Sequence, residues 1–256
     1  MTTYGVLGVG SIASAVVTGL CDGVADPPEV VLSPRNAERS AALAARLPTV
    51  RVAADNQAVV DHSDVVVVCL LPARVSKVLA GLRFRADQAV VSAAAGVEVG
   101  QLAALVAPAT DIARAIPLPA VANRGGTTPV HPATPAATEL FGRLGGSMAV
   151  ADERAYESLV AGSATVAAHF HYLGAIADWL SAHGIAEGDA RRYVADTFAA
   201  LSGELGSADL DFRALAAAHS TPGGLNEQFS RGLEAAGARH AVRRELDELL
   251  ARILAT

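Results

Sequence analysis

The chain has 256 residues, 52% of them hydrophobic and 18% charged, with a formal net charge of −6. That composition supports one large or two ordinary folded domains and excludes a disordered chain, and the acidic balance argues against a nucleic-acid partner. Apolar runs such as 65–71 are too short to cross a bilayer, and no cationic leader precedes the first strand, so a cytoplasmic protein with no membrane partner is expected. Cys21 and Cys69 lack metal-ligand spacing and read as buried structural thiols. Lys77 is the only lysine; its expected role is a solvated surface charge.

The chain opens on Tyr4-Gly5-Val6-Leu7, a strand-like run that breaks into Gly8-Val9-Gly10-Ser11-Ile12-Ala13 and continues as a helical pattern. Gly-x-Gly-x-x-Ala between a strand and a helix reads as a dinucleotide grip. Gly8 allows the tight turn, Gly10 lets the backbone approach a pyrophosphate, and Ala13 lets the helix pack closely. The helix start offers free N–H groups to the phosphates, which makes Gly8, Gly10, Ser11 and Ile12 candidate cofactor contacts. Strands predicted at 4–8, 29–32, 50–53, 65–71, 89–93 and 112–116 alternate with helical patterns, as a parallel sheet with crossover helices requires. Near-continuous valine at 65–71 and 89–91 suits strands buried on both faces. Prolines at 117, 119, 129, 132 and 135 break the next region into loops with short edge strands, and 147–150 reads as a last strand.

From Asp152 the pattern turns helical. Asp152 is a candidate N-cap, and no proline interrupts the run to His183-Gly184, about 30 residues or about 45 Å of helix. Further helices are predicted at 187–206, 208–218, 223–236 and 238–255. In the last, Leu246, Leu249, Leu250, Ile253 and Leu254 form one apolar stripe. Helices this apolar are hard to bury alone, so a homodimer built mainly from the second half is expected, with a larger assembly of dimers left open.

The second strand ends in Ser33-Pro34-Arg35-Asn36, with no carboxylate to bond ribose hydroxyls. Ser33, Arg35 and Asn36 can instead donate to a 2′-phosphate, so NADP(H) is expected over NAD(H); Ser33 and Asn36 are also good helix caps. For the nicotinamide half the candidates are Leu70-Leu71-Pro72 and Ala93-Ala94-Ala95-Gly96, where small residues leave room for a flat ring. Ala94, Ala95 and Gly96 are counted with the cofactor contacts.

With these residues in view, the chain resembles the pyrroline-5-carboxylate reductase family over nearly its whole length, as a divergent member. The similarity is carried by the Gly8 to Ala13 turn, the strand ending in Pro72, Ser92-Ala93-Ala94-Ala95-Gly96-Val97, Arg114-Ala115-Ile116-Pro117 and, most specifically, Thr221-Pro222-Gly223-Gly224. The resemblance implies an α/β fold: a Rossmann-type doubly wound sheet over 1–151, then an all-helical dimerisation and substrate domain over 152–256. It also implies hydride transfer from NAD(P)H to the C=N bond of a cyclic imine, pyrroline-5-carboxylate or a relative. In that family a Ser-Pro-Gly-Gly-Thr-Thr turn binds the substrate carboxylate at the dimer interface. Here the turn continues Gly223-Gly224-Leu225-Asn226, with an apolar and an amide side chain in place of two hydroxyls.

Reducing an iminium needs a hydride donor held close to the electrophilic carbon, and positioning supplies most of the rate. Ser220, Thr221 and Asn226, with the N–H groups of Gly223 and Gly224, form a candidate nest for an anion or polar group; Thr221 as N-cap and Pro222 at N1 would make it an ordinary helix start. The substrate contacts are therefore expected from Gly223, Gly224, Leu225 and Asn226, and the catalytic set from Ser220, Thr221, Asn226 and His219. His219 is the best-placed proton donor if one is used, with His169 and Tyr172 as further candidates. Open alternatives are a hydroxyacid dehydrogenase, which lacks its usual lysine here, a deazaflavin-linked NADP reductase, and a sensor that binds NADP without catalysis. No metal site is expected.

Overall fold

The computed structural model describes residues 2–206 and 209–255. The chain forms two compact units, one running to Ser163 and completed by the residues from Arg252, the other running from Ala164 to Ala251.

In the first unit β1 (Tyr4–Leu7) leads into α1 (Ser11–Cys21), followed by β2 (Val30–Leu32), α2 (Ala37–Arg46), β3 (Val50–Val52), α3 (Asn56–Asp61), β4 (Val65–Val68), α4 (Pro72–Leu79), β5 (Ala89–Ser92), α5 (Val99–Val106) and β6 (Asp111–Ala115). These strands pair in parallel in the order β3-β2-β1-β4-β5-β6. In the proline-rich region β7 (Thr128–His131) joins β6 antiparallel, and after α6 (Pro135–Gly142) β8 (Ser147–Ala149) pairs parallel to β7. The valine runs reflect two-faced burial. In β4, Val65 and Val67 enter the layer covered by α1, α2 and α6, while Val66 and Val68 enter the layer under α3, α4 and α5, the period-two alternation of a central strand.

β4 stops at Val68, three residues short of the apolar run that announced it. Cys69 still donates its N–H to the Leu7 carbonyl at 2.8 Å, but Leu71 caps a helix whose first residue is Pro72. Proline holds the preceding residue extended and brings no N–H, so the chain leaves the sheet there.

α7 (Glu153–Ser163) follows Asp152, whose Oδ1 accepts the Ala155 N–H at 2.9 Å, the expected cap. Composition changes at this point, yet packing keeps α7 with the sheet. Arg114 of β6 is fully buried and donates to Glu153 at 2.8 Å; its second guanidinium nitrogen lies 2.6 Å from Glu157, off the hydrogen-bond direction. The guanidinium also sits 4.5 Å over the Tyr156 ring. Burial pushes the Tyr156 hydroxyl up in pKa, and Arg114 partly opposes this.

The second unit contains α8 (Val166–Ala182), α9 (Glu187–Ala200), a 3₁₀ turn at Leu201–Gly206, α10 (Phe212–Ala218), α11 (Leu225–Ala235) and most of α12 (Ala238–Leu254). The expected 30-residue helix is interrupted at Ala164-Thr165, between α7 and α8. There the Ser163 hydroxyl bonds the Val160 carbonyl at 2.7 Å, a back-bond that loosens helices, and two β-branched residues follow. The far end stops as expected, the Gly184 and Ile185 N–H groups returning to the Ser181 and Leu180 carbonyls. The predicted start of the 208–218 helix, at position 208, lies outside the described residues.

Among the described residues of the second unit only Ala177, Ala190 and Val194 are buried, whereas Phe170, Trp179, Tyr193, Phe212, Leu225 and Phe229 stand exposed. The stretch Glu153–Ala182 is also long and apolar enough, by length and composition only, to cross a membrane, through an 18-residue window whose mean hydropathy is 1.2.

Removing one partner of a buried ion pair leaves an uncompensated charge, at a cost of about 3–5 kcal/mol. Arg114→Met is therefore expected to lower the thermal midpoint by several degrees, with Arg114→Met/Glu157→Met recovering part of the loss. Unchanged melting in the single variant would show that this pair does not hold α7 to the sheet.

Candidate active site

The strand order reverses beside β1, with β2 and β3 on one side and β4 onward on the other. The crevice at such a switch point is where an open parallel sheet takes its ligand. Gly8-Val9-Gly10 leaves β1 and Cys69-Leu70-Leu71 leaves β4, and along them lie two cavities of about 360 and 390 Å³ that share Gly10, Cys69, Leu70 and Leu71.

Gly8 has φ +91°, and a Cβ there would stand 2.7 Å from the Cys69 carbonyl oxygen, so the turn admits no side chain. A Cβ on Gly10 would meet nothing within 4 Å; the space in front of it is open for a ligand's close approach. Gly10 caps α1 without a side-chain bond, and the first turn of α1 carries no acid. Gly10, Ser11, Ile12 and Ala13 line the cavity, so the positive end of α1 faces it with no anion of the chain's own.

Ser33 does not do what its sequence position suggested. It is 1% exposed, its Oγ accepts the Gly8 N–H at 2.9 Å, and its carbonyl accepts from the Ser40 hydroxyl at 3.0 Å. It braces the glycine turn from beneath, and burial denies it a 2′-phosphate. Asn36 donates its amide to the Val9 carbonyl at 2.9 Å, tying the β2 loop to the glycine turn. Arg35 is exposed and lines the cavity, joined there by Arg74 of α4. Arg39, one turn after Arg35, donates to the Ser11 hydroxyl at 3.2 Å. Sequence reasoning missed Arg74 and Arg39; a basic residue one turn after a flagged arginine, or in the first turn after Pro72, was the available signal.

At the other end Ala93, Ala94, Ala95, Leu71 and Pro72 line the groove, Ala94 being itself buried in the core. Gly96 instead lines a separate cavity with Glu98, Gln101 and Glu153, because its φ of +69° turns the chain away toward α5. Cys69 is only half-buried by exposure and borders the groove; burial pushes its thiol up to about 12, so it stays protonated and unreactive. Open backbone at Gly10 and unpaired basic charge at the β2 end fit a dinucleotide carrying an extra phosphate.

In the second unit, Thr221-Pro222-Gly223-Gly224 forms a turn closed by the Gly224 N–H on the Thr221 carbonyl at 2.8 Å, with φ +72° at Gly223. This is a type II turn with proline and glycine in their favoured places. The helix cap is therefore Gly224, not Thr221. The Gly223 N–H donates to Glu227 at 2.7 Å, the Asn226 amide to the His219 carbonyl at 2.9 Å, and the Ser220 hydroxyl to the Ala216 carbonyl at 2.7 Å. His219 meets the Glu204 carboxylate at 2.9 Å. Thr221 and Leu225 are exposed. Tyr172 meets Phe198 edge-on and His169 lies against its neighbour Phe170, both of them exposed on α8. Glu227 was not anticipated, although an acid at the third helical position is a capping signature.

Residues 3–96 match the family described as NADP oxidoreductase, coenzyme F420-dependent, and residues 154–255 match pyrroline-5-carboxylate reductase dimerisation. A pyrroline-5-carboxylate reductase of Corynebacterium melassecola is 29% identical over 134 residues, which span 50% of this chain and 49% of that protein; the chain thus matches about half the length of this curated relative. The solved 1-pyrroline-5-carboxylate reductase of Streptococcus pyogenes superposes with a TM-score of 0.84 at 23% identity, covering 100% of this chain and 99% of that one. The Plasmodium falciparum pyrroline carboxylate reductase, solved with NADP bound, gives 0.83 at 16% identity, covering 99% and 97%. A nucleotide half of NADP oxidoreductase type and a half of pyrroline-5-carboxylate reductase dimerisation type thus follow one another, on a fold shared end to end with those solved enzymes.

Proposed function

We propose that the protein is an NADPH-dependent reductase of a cyclic imine, pyrroline-5-carboxylate or a related ring. The observation that carries this is the open α1 N-terminus at Gly10, flanked by Arg35 and Arg74, where an NAD site would place a carboxylate. The dimerisation-type second half favours an imine over a deazaflavin or a hydroxyacid.

Bound NADPH would supply the hydride. The chain's own contribution is placement. Gly8 and Gly10 hold the backbone where a pyrophosphate meets free N–H groups, Arg35 and Arg74 attract the ribose phosphate, and Ala93 and Ala95 leave space for a flat ring. The protonated Cys69 thiol presents no competing nucleophile. A cyclic imine that arrives protonated needs no strong acid, and the turn at 219–227 would orient it, Thr221 offering a hydroxyl. We take the self-association to be a homodimer through the helical unit, whose exposed Phe170, Trp179, Tyr193 and Phe229 need cover from a second copy, and the compartment to be the cytoplasm.

Consumption of reduced nicotinamide is the direct test, with five- and six-membered cyclic imines, with and without a carboxylate. Turnover with NADPH is expected; tight NADPH binding with no imine reduced would favour a sensor. Arg35→Ala should raise KM for NADPH by about 10-fold or more, as loss of a charge-assisted bond implies, and leave KM for NADH nearly unchanged. Ser33→Ala should weaken both cofactors alike and lower stability by about 1 kcal/mol, because it removes the acceptor of the half-buried Gly8 N–H. Sedimentation at micromolar concentration should find no monomer; a stable monomer would remove the proposed interface.

A further inference from the structure

A further cavity of about 560 Å³ is lined entirely by residues of the sheet unit and shares none of them with the two cavities of the cofactor groove. Glu98 at the start of α5, Glu153, Arg154 and Glu157 of α7, and Ile253 and Leu254 at the end of α12 form its walls. Its volume is that of a small-molecule site.

The cavity holds unmatched groups of both signs. Glu157 is only 5% exposed; one carboxylate oxygen lies 2.6 Å from the Arg114 guanidinium, while the other, Oε2, is buried with no donor among the described residues. A buried carboxylate oxygen in that state is costly until an N–H reaches it. Glu98 caps α5 through its backbone alone, and its carboxylate has no partner among the described residues. Arg154 likewise forms no ion pair with any carboxylate of the cavity, whereas Glu153 is held by Arg114 at 2.8 Å. Three carboxylates oppose a simple anion, and the free guanidinium opposes a simple cation. Nor is a metal ion indicated, since no group of three His, Cys, Asp or Glu among the described residues could hold one. Ile253 is packed against the apolar cluster of Val150, Tyr156 and Val160, which fixes the apolar wall.

We propose that this cavity is a binding site for a zwitterionic α-amino acid with a small apolar side chain. Its ammonium group donates to Glu157 Oε2 and to Glu98, three N–H donors being enough for both. Its carboxylate is taken by the Arg154 fork, and its side chain lies against Ile253 and Leu254. The site does not depend on what the cofactor groove reduces.

Calorimetry on the full-length protein tests this with L-valine, isobutylamine and 3-methylbutanoate, three probes with the same branched end of which the last two each lack one charge. L-Valine is expected to bind one per chain, about 10-fold or more tighter than either analogue. Arg154→Ala should weaken L-valine by about 10-fold and leave isobutylamine unchanged; Glu98→Gln should weaken L-valine by a similar factor and leave 3-methylbutanoate unchanged. Both residues are exposed, so the fold is kept in either variant. No L-valine binding, or isobutylamine binding as tightly as L-valine, would overturn the proposal. L-Valine binding unmoved in both variants would place the amino acid elsewhere and overturn it equally.

Discussion

Everything at the nucleotide end depends on the parallel pairing of β1 with both β2 and β4. With Tyr4 registered against Val30 on one side and Val65 on the other, the chain must leave β1 in one direction and β4 in another, and a crevice opens where they part. Gly8 is confined against the Cys69 carbonyl because these two strand ends lie side by side. The same confinement turns the start of α1 outward over the crevice. Two hydrogen bonds then hold the turn: Ser33 beneath Gly8, and Asn36 across to Val9. A residue that looked like a ligand contact proved to be part of the frame, because the buried Ser33 hydroxyl is the acceptor for the Gly8 N–H.

Helix N-termini are the recurring chemical device, and their settings differ. The four orphan N–H groups of any helix must be satisfied by a cap, water or a ligand. In α1 a glycine cap, the absence of acid and the nearby Arg35, Arg39 and Arg74 leave that demand to an anion from outside. At α11 the chain's own Glu227 accepts the Gly223 N–H just ahead of the Gly224 cap. The two helix starts thus differ in electrostatic character, one open to an anion, the other carrying a carboxylate.

Stability is unevenly spread. The sheet unit has two continuous apolar layers, and the buried Arg114 extends its reach to α7 through Glu157, nearly buried, and Glu153, partly exposed. The helical unit buries three small or medium residues among those described and leaves most of its large apolar side chains exposed. A unit of that kind cannot offset its conformational entropy from internal burial alone, which is the physical argument for association with a second copy.

The sequence by itself determined the element order, the two-faced burial of the valine strands, the glycine turn at Gly8 and Gly10, and the Asp152 and Gly184 helix ends. Each of these is set by local periodicity, by backbone conformation or by a side chain bonding within a few residues. The tertiary structure decided the rest. Whether Ser33 faces a ligand or the core, where β4 stops, and which arginines join Arg35 all depend on contacts between segments far apart in the chain. So does the burial of Arg114, which a composition count would have placed in solvent. Glu227 lay within reach of local rules, as an acid at the third helical position, whereas partnership between distant segments is a property of the folded arrangement.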